Sequence, residues 1–220
     1  MNPERDLLTN LRRRGERLCD ELAAVDPTQP TARAQIAAIA DTLLAELNQL
    51  DLPGEQNRIP SGELWQPAAE LLQHGWLQLR ARAKPRGYAG DYELLQRICD
   101  RQICEHPLGQ WFDHYFQDQT APQAVRNRTQ IVAERIVALV REKTARVKIV
   151  SVGAGPAIDV QQACQQLSAI ERERLDVVLL DLDPDALEVA VGALATWLAP
   201  SQVQGVRENL FRLPRLKRAA

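Results

Sequence analysis

The sequence is poor in the residues that build the commonest catalytic and metal centres, with three histidines and four cysteines in 220 residues. His74, His106 and His114 make no triad or ligand spacing with any cysteine or acid. Cys19, Cys99, Cys104 and Cys164 are scattered without metal-type pairing, because Cys99 and Cys104 would point to different sides of a helix. No metal site is expected, and the thiols read as reduced and structural. No apolar run is long enough to span a bilayer, and the segment Met1-Asn2-Pro3-Glu4-Arg5-Asp6 lacks the apolar core of a secretory signal. A soluble, cytoplasmic protein is the expectation. Neither sign of charge dominates either: 27 basic residues face 29 acidic ones, for a formal charge of -2. Nothing global pulls such a chain toward nucleic acid, and the short basic runs Arg12-Arg13-Arg14 and Arg212 to Arg218 read as a solvated helix face and a tail.

The informative stretch is 147–185. Val147-Lys148-Ile149-Val150-Ser151-Val152 is a β-branched run that stops at Gly153-Ala154-Gly155-Pro156, and a polar, helix-forming segment follows to Ser168. Asp176 to Leu180 then runs straight into Asp181-Leu182-Asp183-Pro184, so a second buried strand ends in acids and hands over to another helix. This is half of a nucleotide-binding α/β sheet. The glycines make room, because a ligand lying across the ends of parallel strands touches backbone, and a Cβ at Gly153 or Gly155 would hold it off. An acid at the end of the second strand meets a ribose, whose two hydroxyls a carboxylate can accept; Asp181 is that residue. A nicotinamide or flavin site wants a third glycine three residues after the second, but that position is Ile158.

The N-terminal part reads as all helix. Asn2-Pro3 starts a helix that Leu7, Leu8, Leu11, Leu18 and Leu22 carry to about Ala24. Ile36 to Leu50 marks a second, 51–60 a loop, and Trp65 to Leu79 a third helix started near Pro67. Next comes Lys84-Pro85-Arg86-Gly87-Tyr88-Ala89-Gly90-Asp91, a loop with two cations and a tyrosine, ending on Asp91 as the cap of a helix through Leu94, Leu95, Ile98 and Ile103. Either its glycines serve turn geometry alone, or the loop contacts an anionic ligand through Lys84, Arg86 and the free amides near Asp91. Trp111, Phe112, Tyr115 and Phe116 form a short aromatic helix that reads as core packing. A long helix starts at Ala121-Pro122, with Arg126 and Arg128 near its beginning, placed to reach the same site as Arg86.

Gly-x-Gly-Pro-Ala-x-Asp followed by Leu-Asp-x-Asp-Pro-Asp-Ala-Leu resembles the first two motifs of the class I S-adenosylmethionine-dependent methyltransferases. Lys-Pro-Arg-Gly-Tyr-Ala-Gly-Asp-Tyr-Glu, His-Pro-Leu-Gly-Gln and Ala-Val-Arg-Asn-Arg, in that order from Lys84, are similar to a bacterial family within that class. Some of its members are named extracellular-factor, 3-hydroxypalmitic acid methyl ester biosynthesis proteins. The resemblance spans Lys84 to Asn209. It implies an α/β protein with a helical N-terminal region at 1–145 and the first half, about three strands, of a Rossmann-like domain at 146–220. It further implies S-adenosylmethionine held by Gly153, Ala154, Gly155, Asp181 on the ribose, Leu182 on the adenine face and Asn209 at the adenine edge. Arg86, Tyr88, Arg126 and Arg128 would hold the acceptor, a small molecule or the carboxylate of a 3-hydroxy fatty acid. Such a carboxylate is ionised at neutral pH and needs no general base; a hydroxyl or amine acceptor would need one, for which His114, Tyr88 and Asp91 are weak candidates.

The same resemblance marks a departure. A class I sheet has seven strands with the fourth beside the first, whereas only three are read here, so a truncated gene product, or a missing half supplied from elsewhere, is expected. The first strand is then an open edge, to be covered by a second copy or a partner chain. The alternative to a methyltransferase is a partial domain that binds the nucleoside or a partner without catalysis, and a nicotinamide dehydrogenase stands third.

Overall fold

A computed structural model describes residues 3–209. The chain divides into two compact units, one of residues 1–89 and 101–119, the other of residues 90–100 and 120–220. The expected division at 145/146 therefore falls inside the second unit. The reason is the long helix before the first strand, whose apolar side, Ala133, Ile136, Val137 and Val140, is buried in the same core as the sheet.

The first unit is helical: α1 (Pro3–Ala23), α2 (Ala32–Asn48), α3 (Arg58–Leu72), α4 (Trp76–Ala83) and, after the excursion into the second unit, α6 (Gly109–Asp118). Its core joins Leu18 and Leu22 of α1, Ala32 and Ile36 of α2, Ala68 and Leu72 of α3, and Leu108 and Phe112 at α6. α1 and α3 touch at backbone distance, since a Cβ on Gly15 would lie 2.2 Å from the Leu64 carbonyl oxygen. Only Ala32 and Ile36 of α2 are fully buried. Among the basic run at 12–14, Arg14 is not solvated: it is 6% exposed and pairs with Glu21 and Glu46.

The single third helix expected from Trp65 to Leu79 is instead two. α3 begins at Arg58 and passes through both Pro60 and Pro67, and the chain breaks at 73–75 before α4. Pro60 lies in the first turn, where a backbone N–H has no helical partner to lose. The break is held by α6: Asp113, fully buried, accepts the amides of Leu77 (2.8 Å) and Cys104 (2.9 Å).

The second unit is α/β. In chain order it holds α5 (Tyr92–Cys99), α7 (Thr120–Glu142), β1 (Val147–Val152), α8 (Ile158–Gln166), α9 (Ala169–Arg172), β2 (Leu175–Asp181), α10 (Pro184–Leu194) and β3 (Val203–Arg207). The helix expected to run on through Ile103 ends at Cys99, and Arg101 turns left-handed at φ 52°. The three strands are parallel in the order β1-β2-β3, with Val147 opposite Leu175 and Asp181 opposite Arg207. Parallel strands need crossovers, and α8 and α10 supply them. Their apolar sides meet Leu175, Val177 and Leu179 of β2 in one core with α7. The alternate positions of β1 point away from that core: Val150 is 56% and Val152 52% exposed. Among the described residues β1 pairs only with β2, and no helix is long and apolar enough to cross a membrane. The basic run from Arg212 to Arg218 lies outside the described residues.

Candidate functional site

Pairing of β1 with β2 carries Val152 to Leu180 and leaves Gly153 beside Asp181 at the carboxyl ends of the strands. The turn after β1 is tied to β2 by backbone, with the amides of Gly153 and Ala154 both donating to the Leu180 carbonyl at 2.8 and 3.0 Å. It then winds through three left-handed residues, Gly153 (φ 64°), Gly155 (φ 51°) and Ala157 (φ 52°). A Cβ on Gly153 would meet nothing within 4 Å. The glycine is thus required by backbone conformation, and the space above it is open to a ligand. Ala157 is fully buried at the start of α8, and no sequence signal marks an alanine for the left-handed region.

Asp181 braces this turn from the end of β2. Its Oδ2 accepts the Gly155 amide at 2.7 Å and its Oδ1 accepts the Asp183 amide at 3.0 Å. Among the described residues it is in no ion pair, and each oxygen keeps a lone pair beyond the backbone bond. Asp183 in turn caps α10 by accepting the Asp185 amide at 3.0 Å, with Pro184 in the first turn. Leu182 lies between these two acids and is 60% exposed. β3 ends alongside, where the Glu208 amide donates to the Asp181 carbonyl at 3.0 Å and brings Asn209 to the same end of the sheet. The expected nucleoside residues Gly153, Ala154, Gly155, Asp181, Leu182 and Asn209 therefore occupy one edge of one unit.

On the α7 side of the glycine turn lies a cleft of about 270 Å³, lined by Leu95, Cys99, Arg128, Thr129, Ser151, Gly153, Ala154 and Asp159, among others. Burial pushes the Asp159 carboxyl above the usual range, opposed in part by its bond from the Val160 amide and by the charge of Arg128. Burial likewise raises the Cys99 thiol, whose sulfur lies 3.8 Å from the Thr129 hydroxyl. Asp159, Ser151 and Thr129 are the lining residues to which the sequence reading gave no role. Asp159 closes the Gly-x-Gly-Pro-Ala-x-Asp pattern, which was its available signal.

The acceptor candidates are divided. Arg126 and Arg128 belong to the sheet unit, where Arg126 donates to the Ile98 carbonyl at 3.4 Å and Arg128 lines the cleft. Arg86 and Tyr88 belong to the helical unit, as does His114, which stacks on Trp111 at 5.6 Å. Asp91 is 2% exposed and caps α5 by accepting the Leu94 amide at 3.0 Å. In the helical unit, a separate and almost wholly apolar cleft of about 280 Å³ runs between Leu18, Ile36, Leu43, Trp65 and Phe112. Arg82 lies at its edge, over the Trp65 ring at 4.5 Å.

No family model and no curated protein matches this chain. A solved structure described as a possible exported protein from Bordetella parapertussis is similar, at 18% identity and a TM-score of 0.44. That likeness covers 97% of this chain, which spans only 59% of the other.

Proposed function

We propose that this chain is an S-adenosylmethionine-dependent O-methyltransferase of the class I type, acting on a carboxylate of the 3-hydroxy fatty acid kind. The observation that carries the reading is the pairing of an open left-handed glycine turn with the Asp181 carboxylate at the carboxyl ends of two adjacent parallel strands. The donor fits the residues present: the free volume over Gly153 admits a ligand against backbone, Asp181 retains acceptor capacity for a ribose hydroxyl, and exposed Leu182 offers an apolar face to a base. When bound, the donor would supply a sulfonium-activated methyl group, open to attack by an ionised carboxylate oxygen: the new carbon–oxygen bond forms as the carbon–sulfur bond breaks, and that electron pair leaves with the thioether.

No proton has to move in such a transfer, so the work left to the protein is alignment. That agrees with a site whose described lining offers no histidine. A strong ion pair on the acceptor carboxylate would blunt its nucleophilicity, so arginines near it serve to orient.

Calorimetric titration of the full chain with S-adenosylhomocysteine and with NAD tests the donor, and transfer of labelled methyl to a fatty-acid panel tests the reaction. Saturable binding of the first ligand, none of NAD and label in an ester are expected. Absence of S-adenosylhomocysteine binding by folded protein overturns the reading. Binding without transfer would favour the second reading, a partial domain that binds the nucleoside or a partner chain without catalysis; the exposed Val150 and Val152 of β1 support its partner-binding form.

A further inference from the structure

Between Glu70 and Asp91 the chain carries no acid, and Arg80, Arg82, Lys84 and Arg86 put four cations into that stretch. All four belong to the helical unit, on α4 and the loop after it, and the donor site proposed above uses none of them. Among the described residues Arg82 and Lys84 are in no ion pair. Arg82 donates instead to the uncharged hydroxyl (3.3 Å) and carbonyl (3.2 Å) of Ser61, which lays the last turn of α4 against the first turn of α3. Glu63, the acid next to that contact on α3, faces Arg12 at 3.8 Å. Ser61, Trp65 and Arg82 also line the apolar cleft of this unit, so a cation with no anion of its own stands at the edge of an apolar opening. Leu79, three residues before Arg82 and therefore beside it on the helix surface, is 38% exposed.

Uncompensated cations beside exposed hydrocarbon match a partner that is anionic at its surface and apolar beneath it. Phosphate headgroups take up the guanidinium and ammonium groups, while Leu79 and the mouth of the cleft meet the hydrocarbon below. Single-stranded nucleic acid offers the phosphates too, but its bases need open aromatic faces. Here each tryptophan already has one face taken, Trp65 by Arg82 at 4.5 Å and Trp76 by Arg80 at 5.1 Å. We propose that the end of α4 and the loop at Lys84 form a docking surface for an anionic lipid bilayer, on which the helical unit lies without crossing it. The proposal stands apart from the identity of any ligand in the sheet unit.

The test is co-sedimentation of the full chain with vesicles of phosphatidylcholine, alone or mixed with phosphatidylglycerol. Pelleting with the mixed vesicles only, weakened by added salt, is expected. Lys84→Gln, on an exposed side chain with no partner to lose, should raise the lipid concentration for half-binding about fivefold, and Arg82→Gln with Lys84→Gln roughly 25-fold, at the usual increment for a cation near a charged membrane. Leu79→Ser should weaken vesicle binding and leave retention on a heparin column unchanged, and thermal melts show that each variant is folded. No pelleting of folded wild-type protein with phosphatidylglycerol vesicles at low salt overturns the proposal, as does unchanged binding in Lys84→Gln. Equal binding of Leu79→Ser and wild type to vesicles, with single-stranded DNA held as tightly as lipid, also overturns it and makes the surface a general polyanion site.

Discussion

Asp181 and Gly155 are joined across the ends of two strands, the carboxylate Oδ2 accepting the glycine amide at 2.7 Å. One side chain thereby shapes the turn and stands where the ribose is proposed to bind. Asp181→Ala is expected to weaken S-adenosylhomocysteine binding by ~1.5–3 kcal/mol, the value of a hydrogen bond to a charged group. Asp181→Asn, which keeps an acceptor for the Gly155 amide, should retain more of the fold's stability than of the affinity. Calorimetry and thermal melts on both variants separate the two effects, and an alanine variant of unchanged affinity would place the ribose elsewhere.

Gly153→Ala isolates backbone from contact. The left-handed conformation costs a non-glycine residue roughly 1–2 kcal/mol, and here no protein atom stands within 4 Å of the added methyl. The stability loss should therefore stay within that range on urea denaturation, while nucleoside affinity falls further because the methyl enters the ligand's space. A stability loss with no change in affinity would show that nothing binds over this turn.

Asp113 is the polar tie of the helical unit. Removing it in Asp113→Ala strips two amides, Leu77 and Cys104, of their acceptor in a fully buried place. A destabilisation on the order of 2–4 kcal/mol is expected from urea midpoints, since each unsatisfied buried amide costs about 1–3 kcal/mol. A loss below ~1 kcal/mol would mean that water replaces the carboxylate.

Acid sensitivity should centre on His106. Its Nδ1 accepts the Leu108 and Gly109 amides at 3.3 and 3.1 Å, which only an unprotonated nitrogen can do, and its ring stacks on His74 at 3.7 Å. Loss of solvation, and then the charge of His74, lower its pKa below the ordinary 6.5. Above pH ~6.5 the ring is neutral whether folded or not and contributes no pH dependence. Below that value the unfolded chain takes up the proton first, so stability falls as the pH drops toward the folded pKa. Urea midpoints between pH 7.5 and 5 should decline in the wild type and decline less in His106→Asn, which retains an acceptor for the amides. Parallel slopes would assign the acid loss to other groups.

Much of the sheet unit was legible because each of its signals is local. β-branched runs, paired glycines, and Asp183 with Pro184 fix the strand ends and the start of α10 with little help from tertiary contacts. The helical unit was less so. Pro67 reads as a helix start but lies inside α3, and the real punctuation at His74 and Gly75 is enforced by Asp113, far along the chain. The unit boundary was missed for a related reason, since a stripe such as Ala133, Ile136, Val137 and Val140 declares that a face is buried without saying against what. Arg128 and Asp159 lie on different helices, and nothing local in the sequence marks that they line one cleft.

The outward side of β1 carries one charge among its valines. Lys148 is exposed on the same side as Val150 and Val152, and its partner on the pleat of β2 is Asp176. A strand of this composition without the lysine would be a seed for intermolecular stacking, and one ammonium group interrupts it. On this reasoning the Lys148 charge opposes stacking of one copy of this sheet face on another.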